Sequence, residues 1–527
     1  MAQAKNTTAV VLTDDVQAFM TLVEESTRST REATHYFIPP AEGTLERAKS
    51  KRHHVVFGRR GSGKSSLLNK IYADHLANRV PCAFVDMEEF KGHSYPDVLV
   101  SVLIKSLMEF KKWLDDGAVA PANKASFWSK LTFQKPVAPT IKKSDAASLS
   151  AELDAEIQAL NSLLHSAEDI ERAETRRKDK STNIAGKGEV KVKSGPASAS
   201  AELSASESEE LSREVVDHYK SRKIEALQRG IIRFKEIFKR VAAHTGKDAY
   251  LLLDDLYHIR RSDQASIIDY FHKLAKGANL WIKIGTIRHR TTWYRPGDPP
   301  VGMKLGDDAE QIDLDVTLEK YETTKAFLVR ILDQFAKAKG VTLSTILADT
   351  ARDRLVLASG GVARDFLTLF RRALEETRER VLRGDLNRGE KVGAEDVNRA
   401  AGSYYDNKTA ELDRDTRGDE RGAFLDLVNE IQDFCINKSK ANCFLIEKDF
   451  DGFNEEIIGQ LVDLKFIHHV RSRVTVRNRE RRLYDAFMLD LSFYTGERAR
   501  KGLDMIQFWK ADAADELRRT GLIYMER

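Results

Sequence analysis

The stretch His54-Val55-Val56-Phe57-Gly58-Arg59-Arg60-Gly61-Ser62-Gly63-Lys64-Ser65 decides the fold. His54–Phe57 reads as a buried strand that runs straight into a glycine-rich turn. Residues Ser65–Ala77 then follow with the spacing of an amphipathic helix. From Gly58 to Ser65 the order satisfies G-x-x-x-x-G-K-[ST] at every position, with the strand before it and the helix after it that the motif requires. Glycines let successive amides turn inward around a phosphate, and the helix N-terminus adds partial positive charge. A lysine at position 64 reaches the β- and γ-phosphates of a nucleotide, and a serine hydroxyl at position 65 ligates Mg²⁺. A site for ATP and Mg²⁺ is therefore expected from Gly58, Gly61, Ser62, Gly63, Lys64, Ser65 and Ser66. Arg59 and Arg60 stay open between phosphate or subunit contacts and plain solvated loop charges.

Working outward, Cys82–Asp86, Ala249–Leu253 and Leu280–Gly285 read as further strands, with a fifth at Gln311–Leu314. Strands alternating with helices imply a parallel α/β sheet. The strand Tyr250-Leu251-Leu252-Leu253 ends in Asp254-Asp255, about 190 residues after the loop. Asp254 suits the metal, held through water, and Asp255 suits the attacking water. Thr286, just past the fourth strand, reads either as a polar group near the γ-phosphate or as an ordinary strand end. Arg364, in Gly360-Gly361-Val362-Ala363-Arg364-Asp365, opens a helix and reads either as reaching the γ-phosphate or as an exposed helix start.

The chain has 527 residues and three cysteines, Cys82, Cys435 and Cys443, with no metal-ligand spacing. That excludes a disulfide scaffold and fits a reducing cytoplasm. No run approaches the roughly 18 apolar residues of a membrane span. The N-terminus lacks a basic region followed by an apolar core, so the expected location is cytoplasmic. Lys+Arg 85 against Asp+Glu 81 leaves +4, which neither demands nor excludes nucleic acid. The pairs His53-His54 and His468-His469 are adjacent rather than four apart, so no metal site is expected there.

Between the second and third strands the composition changes. Residues 146–176 read as a helix, 178–208 as a disordered tip of small and charged residues, and 208–244 as a long helix. In the long helix Ile224, Leu227, Ile231, Phe234, Phe238 and Val241 step by 3 and 4, a heptad seam. An antiparallel hairpin inserted into the sheet domain and two helices packed on its surface are equally compatible with this pattern.

Near the C-terminus, Glu455–Leu464 reads as a helix, Phe466–Val470 as a strand, and Leu483–Leu491 as another. Helix, strand, polar turn and strand is the order of a winged helix. The turn carries Arg471, Arg473, Arg477, Arg479, Arg481 and Arg482 against one acid, Glu480. A DNA backbone contact, a protein interface and a solvated face all remain open for it. No nucleophile triad or paired catalytic carboxylate can be assembled, which argues against a nuclease.

These segments together, FIPP…LERAKSKRHHVVFGRRGSGKSSLL, LLLDD, IKIGTIRHR and SGGVARDFLTLFRRA, resemble the AAA+/STAND superfamily of P-loop ATPases, nearest its origin-recognition-like branch. The resemblance covers about 36–495 apart from the insertion. It implies a P-loop ATPase core over 36–315; residues 1–35 before it read from their composition as a polar helical segment. A helical insertion would occupy 116–212 with its tip at 178–208. A helical lid would span 316–405 and a winged helix 406–510; the residues that follow, 511–527, read by their own pattern as a terminal helix. It also implies that Phe37 and Pro39 lie near the adenine, that Thr286 and Arg364 are the two nucleotide sensors, and that a finger arginine is Arg288, Arg290 or Arg295. Members usually carry Asp-Glu where this chain has Asp254-Asp255, so hydrolysis is expected to be slow. The implied function is an ATP-driven switch that forms homo-oligomers or engages DNA or a separate effector, in an anti-phage or mobile-element setting. The alternative is an ATP-dependent DNA-binding initiator or transposition regulator.

Overall fold

The computed structural model describes residues 9–29, 32–119, 145–165, 198–415, 418–448, 455–495, 502–510 and 515–525. Its centre is a five-stranded parallel sheet in the order β2-β3-β4-β1-β7. These are β1 (His54–Phe57), β2 (Cys82–Asp86), β3 (Ala249–Asp254), β4 (Leu280–Thr286) and β7 (Glu310–Asp313). A two-stranded ribbon, β5 (Tyr294–Arg295) with β6 (Val301–Gly302), lies between β4 and β7 in the chain. Every residue of β3 is buried, as a strand covered on both faces must be. Phosphate-loop strand and acid strand are separated by one neighbour: Phe57 pairs with Thr286, and Leu253 pairs with Ile284.

Helices cover both faces. On one side α3 (Lys64–Ala77) buries Leu67, Leu68, Ile71 and Tyr72 against the sheet. The other side takes α4 (Asp97–Val119), α5 (145–165), α6 (Ser198–Thr245) and α7 (Arg261–Ala275). Leu227, Phe234, Phe238 and Val241 of the heptad seam are buried in that core. Arg240 pairs with Glu152, and Arg233 with Glu156 at 2.9 Å, so α5 and α6 run antiparallel. Lys223, itself buried, holds Asp97 at 2.7 Å and the Leu164 carbonyl at 3.1 Å. The insertion is thus both a hairpin and, in its described part, packed on the sheet domain. Residues 178–197 of the expected tip lie outside the described residues, and from Ser198 onward the backbone is helical where disorder was expected.

A second core runs from the N-terminus to the C-terminus. Helix α1 (Asp14–Ser26) contributes Val16, Phe19, Met20 and Val23. They pack with α8 (Tyr321–Ala338), α10 (Asp349–Ser359), α11 (Ala363–Leu382) and α12 (Ala394–Asp415). The same apolar cluster continues into α13 (Gly418–Asp433), α14 (Glu455–Asp463) and a four-stranded sheet ordered β11-β8-β10-β9. Here β8 is Cys443–Glu447, β9 Ile467–Val474, β10 Tyr484–Leu489 and β11 Ile523–Met525. The helix expected over 511–527 is corrected by this strand: Ile523 and Met525 pair parallel to β8, and Leu517 and Leu522 are buried by two short turns before it. The sequence there, Leu522-Ile523-Tyr524-Met525, is rich in β-prone residues, and an edge was free to receive it.

The amino end of the sheet carries a buried basic cluster. Lys283 donates to the carbonyls of Ser50 and Arg52, both at 2.7 Å, and lies 2.9 Å from His54 Nδ1. Burial pushes the Lys283 ammonium down to about 7, and pushes His53 and His75 to about 4 and His54 to about 3. Folding therefore expels protons that the unfolded chain still binds, so each group adds stability as pH rises between its folded and unfolded values. For Lys283 that window opens near pH 7. The wild-type Tm should rise from pH 7 to about 8.5 in differential scanning, and Lys283→Met should abolish the rise. A wild-type Tm that falls over this range contradicts the assignment.

Candidate functional site

The carboxyl ends of the parallel strands open onto one edge, where sheets of this kind take ligands. A cavity of about 230 Å³ lies there. Its polar end is formed by Arg60, Gly61, Ser62, Gly63, Lys64, Ser65 and Ser66 at the start of α3. Gly61 has φ +89°, and a Cβ there would come 2.7 Å from Arg364 Cβ. Only glycine allows the loop to lie so close to α11. Lys64 is buried, its Nζ folded back on the Gly58 and Arg59 carbonyls at 2.9 and 3.2 Å. Burial lowers its pKa, while Asp255, Asp254 and Asp315 act in the opposite direction. The buried Ser62 hydroxyl has no protein partner. A loop with a folded-back lysine, an unpartnered hydroxyl and a helix N-terminus fits a phosphate chain.

Asp254 accepts a hydrogen bond from the Ser65 side chain, which brings together the two residues expected at the metal. Burial first, then Asp255, pushes the Asp254 carboxyl up to about 7. Asp255 lines the cavity with its backbone in the left-handed region, φ 52°. Arg364 lines it too. Its backbone amide donates to the Gly61 carbonyl at 3.2 Å, and its Nε donates to the Thr27 carbonyl at 3.1 Å. The apolar end holds Tyr36, Phe37, Ile38, Phe327, Phe335 and Leu367, a lining suited to a base.

Three expected residues sit differently. Thr286 is fully buried, is absent from the lining, and spends its hydroxyl on Thr291 Oγ1. Pro39 is absent from the lining; Pro40 is there instead, and the Pro39 carbonyl accepts from Arg330 at 3.0 Å. Gly58, the first residue of the loop, is absent from the lining, and its carbonyl holds Lys64. Among the finger candidates, Arg288 stacks 4.1 Å over the Phe57 ring and pairs with Asp313 at 3.3 Å. Arg295 donates to Ser266 at 2.9 Å. Arg290 lies 5.6 Å over Tyr257, itself a lining residue.

Sequence reasoning missed two parts of the site. The first is the end of α1: Ser26, Thr27, Arg28 and Ser29 line the cavity, and Ser29 bonds Ser66 and Asn69 of α3. Nothing in that polar run signals a cover. The second is Arg59, which is 3% exposed rather than solvated. Its amide and Nε donate to Asp315 at 2.9 and 3.2 Å, and its Nη2 donates to the carbonyls of Val316 and Gly360 at 3.1 and 3.0 Å.

Gly360 leads on to the C-terminal sheet. With φ +56°, it would place a Cβ 2.0 Å from the His468 ring. His468 bonds Asp490 at 2.8 Å, and Asp490 pairs with Lys408 at 2.5 Å, all three buried. Against burial, which alone would raise it, Lys408 and His468 hold Asp490 below the usual carboxylate range. Beside it Asp365, next to Arg364, pairs with the buried Lys465 at 3.0 Å. Helix α14 closes on the sheet domain: Gly459 packs on His289, Glu456 pairs with Arg261, and Asp463 accepts the His289 amide. The arginines behave otherwise. Arg471, Arg473, Arg477 and Arg481 are exposed, Arg473 and Arg481 at positive φ in an irregular β9–β10 hairpin. Arg479 and Arg482 are half-buried, and Arg482 lies 3.4 Å from Glu447.

No protein-family model matches the chain, and no curated protein matches it. Among solved structures, it is similar to the Orc1 protein of Aeropyrum pernix in complex with DNA, with 12% identity, 90% of this chain and 93% of that one covered, and a TM-score of 0.36.

Arg59→Ala should cost about 3–5 kcal/mol, the usual loss when one partner of a buried ion pair is removed. Urea unfolding measures it. Arg59→Lys should recover less than half, because an ammonium cannot reproduce the fork to Val316 and Gly360.

Proposed function

We propose that this chain is an ATP-binding switch of the AAA+/STAND kind that hydrolyses its nucleotide slowly. The observation that carries the reading is a cavity bounded by a complete phosphate loop, an apolar base pocket and Arg364 at the start of α11. In this reading Lys64 and the loop amides hold the phosphates. Ser65 and Asp254 would hold Mg²⁺, whose charge would offset that of the phosphates. Helices α8, α10, α11 and α12 act as the lid, and Arg364 reports the γ-phosphate. The lid cannot move without straining the contacts of Arg59, Gly360 and Asp365, so nucleotide state is passed to the C-terminal sheet. Self-assembly and engagement of an effector belong to the same proposal.

A second reading, DNA binding through a winged helix formed by α14, β9 and β10, is favoured by one observation. Four arginines of the β9–β10 hairpin are exposed with Glu480 as the only acid between residues 471 and 482. Helix α14, which precedes the hairpin, is docked on Arg261 and His289. Of these elements, the hairpin is therefore the one that presents itself to a phosphate backbone in this reading.

Lys64→Ala should abolish nucleotide binding with the fold intact, as read by fluorescent-nucleotide titration beside circular dichroism. Wild-type affinity in the variant contradicts the site. Replacing Arg471, Arg477 and Arg481 with Gln should leave nucleotide affinity unchanged. If the hairpin rides on DNA, each lost phosphate contact should reduce the salt slope of binding by about one. An unchanged slope removes the DNA reading.

A further inference from the structure

Strands β1 to β4 run parallel, so the turns that leave their carboxyl ends share one edge. After β1 comes the phosphate loop. Strand β4 ends in Thr286, which is absent from the cavity lining and whose hydroxyl is bonded to Thr291. That leaves the turns after β2 and β3 to supply any group that acts on water beside the phosphates. The first is Met87–Phe90, the second Leu256–His258, and the two lie against each other. From them Glu88, Asp255 and His258 line the cavity together with Arg60 and Lys64.

Asp255 is the residue that the sequence puts forward, yet its placement is constrained. Its backbone is held at φ 52° and ψ 43°, and its amide is tied to Asp254 Oδ1 at 3.0 Å. Its carboxylate is one methylene shorter than a glutamate's. Glu88 has the longer reach; it lines the cavity and its side chain is 56% exposed. The turn beneath it is fixed, since the Glu88 amide donates to Asp86 Oδ1 at 2.9 Å. Behind it the His258 side chain is 6% exposed, with Nε2 3.9 Å from Glu88 Oε1. The groups facing that imidazole are Asp255, Glu88, Lys91 and Arg60. Burial keeps it below its ordinary pKa and so neutral at physiological pH. A neutral imidazole leaves the neighbouring carboxylate free to accept a proton.

We propose that Glu88 is the carboxylate that activates the attacking water and that His258 is its positioning residue. This rests on the nucleotide-switch reading and names the reacting group within it. The water oxygen forms a bond to the γ-phosphorus. The bond from that phosphorus to the β–γ bridging oxygen breaks, and its electron pair stays on ADP. One water proton passes to the Glu88 carboxylate and then to solvent; the other stays on the released phosphate.

The experiment uses the full chain, with single-turnover hydrolysis of Mg-ATP and titration with a fluorescent ATP analogue. Glu88→Gln should slow hydrolysis by about 100-fold or more, the range of a lost general base, with nucleotide Kd within about threefold of wild type. Asp255→Asn should slow it less than Glu88→Gln does. His258→Ala should lower kcat with KM unchanged, and adding it to Glu88→Gln should cause no further loss, as expected of groups acting through one another. His258→Gln, which keeps a polar head, should recover part of the rate. Should Glu88→Gln fold poorly, Glu88→Asp withdraws the carboxylate by one methylene and should still slow hydrolysis with Kd held. Hydrolysis at the wild-type rate in Glu88→Gln overturns the proposal, as does Asp255→Asn being the more severe change. So does a wild-type chain that binds ATP and never hydrolyses it. A wild-type chain that binds no nucleotide overturns the switch reading itself.

Discussion

The guanidinium of Arg59 is where three parts of the chain meet. It leaves from the phosphate loop, clamps Asp315 at the exit of the sheet domain and reaches the Gly360 carbonyl at the entry to α11. A buried arginine is tolerable only when its donors are satisfied and its charge is paired. Asp315 supplies the charge, and the carbonyls of Val316 and Gly360 take two further bonds. Because the desolvation cost of losing any of these is high, the phosphate loop cannot shift without moving Gly360. Gly360 in turn has no room beside His468. Close packing makes such contacts bistable rather than compliant, which is the physical basis for reading the molecule as a switch.

The polar contacts around this line are arranged in the same sense. Asp365 and Arg364 are adjacent on α11, one tied to Lys465 near the C-terminal sheet, the other to the phosphate loop and Thr27. A rotation of α11 by nucleotide would load both at once. The N-terminal helix rides on the same core, so its last residues cover the cavity only while α11 stays in place. Neither coupling involves an exposed ion pair, which would contribute little.

The sheet was legible because its signals are local. A strand, a glycine turn, a lysine and a helix in one 12-residue stretch leave few alternatives, and β3 announces itself by continuous apolar residues ending in acid. The long helix was legible in its heptad seam, and the structure shows why the seam exists: Leu227, Phe234 and Phe238 fill the sheet face. What was not legible depends on distance in sequence. Arg59 reads as a loop charge because its partners lie about 256 and 301 residues away. Ser26–Ser29 carries no pattern at all, and its position follows from where α1 packs. Thr286 illustrates the converse: a polar residue at a strand end met a nearer partner in Thr291. At the C-terminus the composition read as helix, but the open edge of β8 offered hydrogen bonds that a frayed helix could not match.

The central claim is that nucleotide at the phosphate loop is felt at the C-terminal sheet through Gly360 and His468. Amide hydrogen exchange of the full chain with and without Mg-ATP tests it most directly. The account predicts that nucleotide changes protection at the cavity lining, Ala363 and Arg364 of α11 included, and also in β9 at Ile467–Val470, which is not part of that lining. Changes confined to the cavity lining, with β9 exchanging at the same rate in both states, would contradict it.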